Sequence, residues 1–222
     1  MTKYWDHAFA SGGVYKRPRG AGSLLIDPFL KLAEKLYGDY CVRRLWRSWD
    51  RAAVCAAGVS LGGNARLINK HNREAVRIGQ HTVCRGTIRV EPGGALTIGE
   101  EVYLGDDTII SAAQQITIGS GTLVAHRVQI FDNTSHSINW LEREKHFKKI
   151  LGQKIDQKIE IPSAPVTIGR NCWLGFGSAI LKGVSIGDRV IVAAGCIVTS
   201  DVPPDTLVIG SKTTFVDLKD RN

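Results

Sequence analysis

No stretch of about 18 consecutive apolar residues occurs anywhere in the sequence, which is the length a membrane-spanning helix requires. The opening Met-Thr-Lys-Tyr-Trp leads into no apolar segment of the kind a secretory signal contains. We therefore expect a cytoplasmic chain, neither secreted nor membrane-spanning. A Cys-x-x-Cys pair is also missing, and the five cysteines, Cys41, Cys55, Cys84, Cys172 and Cys196, are odd in number. This argues against a disulfide framework and for reduced thiols. Acidic residues are in deficit: 21 Asp and Glu against 29 Lys and Arg leave a formal charge of +8. Such a surplus suits an anionic partner, either nucleic acid, a lipid headgroup surface or a phosphate-rich cofactor. Nucleic acid is not expected, because the basic residues are spread over several segments without a stacking-aromatic module.

The 222 residues, 43% of them hydrophobic, are enough for a sizeable core and fit one long domain or one domain plus a helical appendage. Residues 1–57 differ in character from the rest. Ser11 to Ser23 reads as loop, and Asp27-Pro28 then sets an N-cap followed by proline at the first helical position. Phe29, Leu30, Ala33, Leu36 and Tyr37 recur at helical spacing until Gly38, where this helix is expected to stop. A second helix is expected from Asp39 to about Ala56. Its Val42, Leu45, Trp46, Trp49 and Ala53 share one face, and Arg43, Arg44, Arg47 and Arg51 occupy much of the rest. Two readings stand open: an amphipathic helix on an acidic membrane surface, or a helix packed on the end of the following domain with its arginines in water.

From residue 78 to 203 the chain repeats itself at a period of six. Aliphatic residues fall at Ile98, Leu104 and Ile110, then at Ile118, Val124 and Ile130. The series resumes at Ile168, Leu174 and Ile180 and continues through Ile186, Val192 and Val198. A small residue often follows, as at Gly99, Gly105, Ser111, Gly119, Ala125, Gly169, Gly175, Gly187 and Ala193. Four places after each aliphatic residue the chain is expected to turn inward again, at Val102, Thr108, Thr122, Val128, Thr134, Cys172, Ser178, Val184, Val190, Cys196 and Val202, with Gln114 as the exception. Three hexapeptides, eighteen residues, make one turn of a triangular solenoid of short parallel strands, which buries its apolar side only by stacking. Ile78, Cys84 and Val90 form a degenerate earlier coil, and Leu61 with Leu67 suggests another. The expected fold is an all-β solenoid, a left-handed parallel β-helix of about five to six coils over residues 58–210. A helical segment precedes it and a tail, 211–222, follows.

The counting also exposes interruptions. Two residues are added between 90 and 98 and between 110 and 118, whereas Ile130 and Ile168 stand 38 apart, leaving about 30 extra residues in an insertion over about 131–165. A regular scaffold usually carries its working site at such a break. His136 lies at its start, directly after a coil, and an imidazole there suits general-base chemistry near neutral pH.

The repeat, the segment Asp132 to Ser137 with its inserted loop, and Asn171-Cys172-Trp173-Leu174-Gly175 together resemble the hexapeptide-repeat acetyltransferases. Within that family the likeness is to the branch acting on galactosides, maltose, nodulation factors and surface polysaccharides, and it covers about residues 78–210. The resemblance implies acetyl-CoA as co-substrate, no metal, a glycan or small-molecule acceptor, and a homotrimer. It assigns His136 the role of base toward an acceptor hydroxyl. It places coenzyme A along Trp173, Gly175, Phe176, Ala193, Ala194, Thr199, Ser200 and Lys212, where small residues let the pantetheine arm approach and Lys212 meets a phosphate. Gly105 and Ala113 depart from an Asn and an acidic residue of the galactoside enzymes, so acceptor contacts are expected instead from Asp106, Asp107, Asp132 and Asn133. Ser200 replaces a common lysine, and Ser211-Lys212-Thr213 replaces the usual Asn/Val-Pro-Ala.

The implied activity is O-acetylation of a sugar hydroxyl in surface-polysaccharide or lipopolysaccharide synthesis, with the basic N-terminal part in peripheral contact with the membrane. An amino sugar is the alternative acceptor. Two further alternatives are a non-enzymatic scaffold and a zinc enzyme like the γ-carbonic anhydrases, using His81, His126 and His136. In the latter family two ligands stand five residues apart, whereas His126 and His136 are ten apart.

Overall fold

A computed structural model of the chain describes residues 26–155 and 159–210. Three parallel sheets of six, seven and six strands wrap one core, as the six-residue period demands. The first face is built from Val54–Cys55, Val76–Ile78, Ala95–Ile98, Gln115–Ile118, Val166–Ile168 and Ser185–Ile186. The second stacks Ser60–Leu61, Val83–Cys84, Tyr103–Leu104, Leu123–Val124, Trp173–Leu174, Ile191–Val192 and Leu207–Val208. The third consists of Arg66–Asn69, Thr87–Val90, Ile109–Ala112, Gln129–Phe131, Ala179–Ile180 and Ile197–Val198. Each chain turn passes from first to second to third face, and the three corners between them are called first, second and third in that order.

The predicted aliphatic positions stack on themselves. Ile98 pairs with Ile118, Ile118 with Ile168 and Ile168 with Ile186 on the first face. Leu104, Val124, Leu174 and Val192 do the same on the second, and Ile110, Ile130, Ile180 and Val198 on the third. These side chains are buried, and burial of each stabilises the fold by about 1.5–3 kcal/mol. The inward positions between them are buried too, except Thr134, which is exposed because the chain has by then left its coil. Glycine is needed where successive coils touch: a Cβ on Gly119 would lie 2.5 Å from the backbone of Gly169.

Two expectations need correction. Val90 is not the third-face partner of Ile110; that position belongs to Ile88, and Val90 pairs with Ala112. The second corner of this coil, Arg85-Gly86, is two residues shorter than Gly105 to Thr108 above it, which shifts the count. Arg85 spans the difference, its Nε donating to both carboxylate oxygens of Asp106 at 3.0 Å.

The second correction concerns the predicted pair of helices, which is one helix, α1, Ile26–Ala52. Gly38 sits inside it, and beyond the helix's own backbone nothing lies within 4 Å of where a Cβ would stand. An interior glycine costs only about 1 kcal/mol relative to alanine, too little to end a helix. Trp49 and Ala53 are fully buried, and Leu45 and Trp46 pack beside them. The C-terminal half of α1 therefore caps the solenoid, with Arg43, Arg44, Arg47 and Arg51 exposed. Asn69 Nδ2 and Arg73 Nε donate to the Ala52 and Ala53 carbonyls at 2.7 and 3.0 Å, satisfying groups the helix end leaves open. Cys84, Cys172 and Cys196 lie in the core as expected, and burial pushes the Cys84 thiol up to about 12, so it stays neutral.

Candidate active site at the third corner

Apart from the short second corner at Arg85-Gly86, the length irregularities described above lie at the third corner. The additions after Val90 and after Ile110 are turns there, and the long insertion leaves the same corner one coil later. Asp132 anchors it. Fully buried, its carboxylate accepts from the backbone N–H of Ala113 and of Gln114, both at 2.7 Å, and so clamps the preceding coil's longer turn. Asn133 donates to the Ser111 carbonyl at 3.1 Å and accepts from Ser135 N–H at 2.9 Å. The outgoing and returning strands then pair: Ala164 N–H donates to the Asp132 carbonyl at 2.8 Å and Thr134 N–H to the Pro162 carbonyl at 3.1 Å. Ser135 takes a positive φ of 60°, and His136 follows two residues beyond this neck, its carbonyl held by the Thr134 hydroxyl at 2.7 Å.

The insertion was expected as loop, yet it contains a helix, α2, Trp140–Ile150. Its signals are local. Asn139 is the N-cap, its Oδ1 accepting from Leu141 N–H at 2.9 Å, and Glu142 stands in the first turn with Lys148 and Lys149 in the last. Glu144 pairs with Lys148 at 2.9 Å. A basic, largely polar stretch hides such a helix from a search for apolar periodicity, and no residue of α2 is buried. The helix is tied back through Ser137, whose hydroxyl donates to Glu142 at 2.5 Å, and through Arg143, which donates to the Ser137 and Ile138 carbonyls at 3.1 Å.

These ties bring His146 of α2 against His136, with their Nδ1 atoms 3.2 Å apart. Burial first, then the charges of His136 and Lys149, lower the pKa of His146. Nothing in the sequence marked His146, since its partner is ten residues away across a turn. Beside the pair, His136, Trp140, Arg143, Glu144 and Phe147 line an open depression of about 450 Å³. Trp140 and Phe147 are 64% and 58% exposed, so large apolar surfaces flank the imidazole.

The remaining predicted residues fall on two corners that flank the third face. Thr199 and Ser200 follow Ile197–Val198 at the third corner, two coils above His136, roughly 10 Å along the axis. They line a second depression of about 410 Å³ with Ile197, Leu207 and Ile209. Phe176, Ala193 and Ala194 stand at the second corner, next to the outward-facing, half-exposed Trp173. Gly175 is also explained by stacking, because a Cβ there would lie 2.6 Å from the Val192 carbonyl oxygen. Lys212 lies outside the described residues.

Asp106 and Asp107 are at the second corner, across the third face from His136. Asp106 is occupied by Arg85, and Asp107 stands 3.8 Å from Arg127. Asp132 and Asn133 share the third corner with His136, with their polar atoms engaged in the clamp described above. His81, His126 and His136 follow strands of three different faces and do not converge. His126 instead accepts from Asp106 N–H at 3.0 Å. Among the described residues no group of three His, Cys, Asp or Glu is placed to hold a metal ion.

A parallel solenoid of hexapeptide coils, interrupted once by a loop that carries an exposed histidine, defines a class of protein. The chain belongs to the hexapeptide-repeat acetyltransferase family. The model of the hexapeptide repeat of succinyl-transferase matches residues 165–200. Nodulation protein L of Rhizobium meliloti (strain 1021) is 33% identical over 153 residues, 68% of this chain and 76% of that protein. Galactoside O-acetyltransferase of Escherichia coli (strain K12) is 27% identical over 146 residues, 65% of each chain. A putative lipopolysaccharide biosynthesis O-acetyl transferase of the same strain, WbbJ, is 30% identical over 118 residues, 53% of this chain and 57% of that one. The matched region thus spans between about half and two thirds of several of these relatives. Among solved structures, AntD, an N-acyltransferase from Bacillus cereus in complex with dTDP-4-amino-4,6-dideoxyglucose and coenzyme A, shares the fold. It superposes with a TM-score of 0.56 at 15% identity over 81% of this chain and 91% of that one.

Proposed function

We propose that this protein transfers an acetyl group from acetyl-CoA to a sugar hydroxyl, with His136 as the general base. The observation that carries the reading is the neck: paired strands from Asp132 and Ala164 hold an exposed imidazole at the edge of a rigid face, where the family's chemistry needs one. A sugar hydroxyl is a poor nucleophile while protonated. His136 Nε2 takes the hydroxyl proton as the oxygen attacks the thioester carbonyl carbon. Collapse of the tetrahedral adduct breaks the C–S bond, and the departing thiolate recovers the proton from the imidazolium, so base and proton balance over one turn.

Coenzyme A is assigned to the coils above His136. Trp173, Phe176, Ala193, Ala194, Thr199 and Ser200 all present surface there, and the basic surplus of the chain suits its phosphates. Three of the relatives named above carry O-acetyltransferase chemistry or a nodulation role in their names, which supports a hydroxyl on a saccharide, and the lipopolysaccharide relative supports a surface polysaccharide. The family resemblance supports a cytoplasmic reaction and a homotrimer.

The test is a transfer assay with acetyl-CoA against a panel of sugars and the matching amino sugars. Acetyl ester formation on hydroxyl acceptors is expected; amide formation on the amino sugars alone would replace O- by N-transfer. Failure to bind acetyl-CoA in calorimetry would overturn the enzyme reading and favour a scaffold. Sedimentation of the full chain reads the trimer.

A further inference from the structure

The contact between His136 and His146 has a consequence for where protons sit. Their Nδ1 atoms are 3.2 Å apart, with ring centroids at 4.9 Å and planes tilted by 53°. Two imidazole nitrogens at that distance share one proton, so one ring donates and the other accepts. A neutral imidazole carries a single N–H. The donor ring must therefore have a bare Nε2, and the accepting ring must hold its proton on Nε2.

The two polarities differ in chemistry. With His146 donating, His136 would carry its proton on Nε2 and could not accept another there. With His136 donating, its Nε2 lone pair is free. The surroundings of His146 disfavour its protonated form, so when the pair takes up a proton His146 is the neutral partner and accepts the Nδ1–H of His136. His146 is half-buried, Lys149 follows on the next turn of α2, and Lys145 precedes it directly. The nearby carboxylates are engaged elsewhere, Glu144 with Lys148 at 2.9 Å and Glu142 with the Ser137 hydroxyl at 2.5 Å. Arg143 is spent on the Ser137 and Ile138 carbonyls. Among the described residues no carboxylate stands within ion-pair distance of His146.

We propose that His146 is the positioning residue of the base: it accepts the Nδ1–H of His136 and thereby holds His136 in the tautomer whose Nε2 faces outward unprotonated. The proposal rests on the reading of His136 as general base. Once His136 takes the acceptor's proton, the same bond becomes charge-assisted and strengthens, so the pair favours the protonated intermediate as well as the resting geometry. A neutral imidazole here does what a carboxylate does in the serine hydrolase triad, with no buried charge required. The insertion is what makes this possible, because α2 supplies His146 from outside the repeat.

Nitrogen-resolved NMR of the full chain at pH 8 tests the arrangement without reference to activity. We expect His136 as the Nδ1–H tautomer and His146 as Nε2–H, and in His146→Ala we expect His136 to revert to Nε2–H. Observation of His136 as Nε2–H in the unsubstituted protein would overturn the proposal. In the transfer assay His146→Ala should lower kcat roughly tenfold to a hundredfold with the KM for acetyl-CoA unchanged, a part of the about 10²–10⁴ that a general base supplies. His146→Asn, whose amide oxygen can accept the same proton, should recover most of it. Unchanged kcat in His146→Ala, with the tautomer of His136 altered, would remove the positioning role. The expected tautomers in a protein that transfers no acyl group would instead sink the enzyme reading and leave the hydrogen bond standing.

Discussion

In the coils, each buried aliphatic side chain is held by the same position one turn above and below, as Ile98, Ile118 and Ile168 are. The insertion is held differently: α2 has no buried residue, and Ser137, Arg143, Asn139 and the Asp132 neck fix it through hydrogen bonds. The first kind of order is redundant, since every coil repeats the contacts of its neighbour. The second is specific and singular, and it places two imidazoles within 3.2 Å of each other. A repeat can build a stiff wall but offers the same surface at every turn; chemistry requires one position that differs from the rest.

If that division is right, substitutions should separate stability from activity. The largest effect expected is on turnover: His136→Ala should lower kcat/KM by about 10²–10⁴ in the transfer assay while the melting temperature stays unchanged. Activity at the original level in that variant would remove the mechanism and return the insertion to ornament. Next in size, Ile118→Ala opens a cavity between two coils and should cost about 2–5 kcal/mol in denaturant unfolding. Coenzyme A binding should persist in whatever fraction remains folded.

Asp132 joins the two regions and so tests the comparison most sharply. Removing its carboxylate in Asp132→Ala leaves the N–H groups of Ala113 and Gln114 without their partner, and a loss of about 2–3 kcal/mol in unfolding free energy is expected. Unchanged stability with a raised KM for the sugar would instead restore this residue to acceptor binding. The smallest effect is expected at Asn139→Ala, which removes the α2 cap and should cost about 1 kcal/mol locally, read as faster amide exchange in α2 with the coils unaffected.

How much of this was legible before folding follows from where each signal resides. The core positions from Ile98 to Val198 could be counted because the period places identical environments at a fixed spacing; Val90 was misplaced where a corner is two residues shorter than its neighbours, and Thr134 where the chain has already left its coil. The break at Gly38 was over-read, since a residue's helix preference is a small term beside the capping contacts of Trp49 and Ala53. In α2 the opposite error occurred. Its cap and charge signals were present in Asn139, Glu142 and Lys148, but no apolar stripe drew attention to them.

The amino-acid sequence by itself determined the solenoid, the place where it is interrupted and the candidacy of His136, because stacking energy depends on a pattern that repeats along the chain. Only the tertiary structure decided that Asp132 is a clamp, that Asp106 belongs to Arg85, and that His146 meets His136. Those pairings join residues ten to twenty-one apart across corners and turns, and no periodicity in one dimension encodes which polar groups will face each other once the chain has closed.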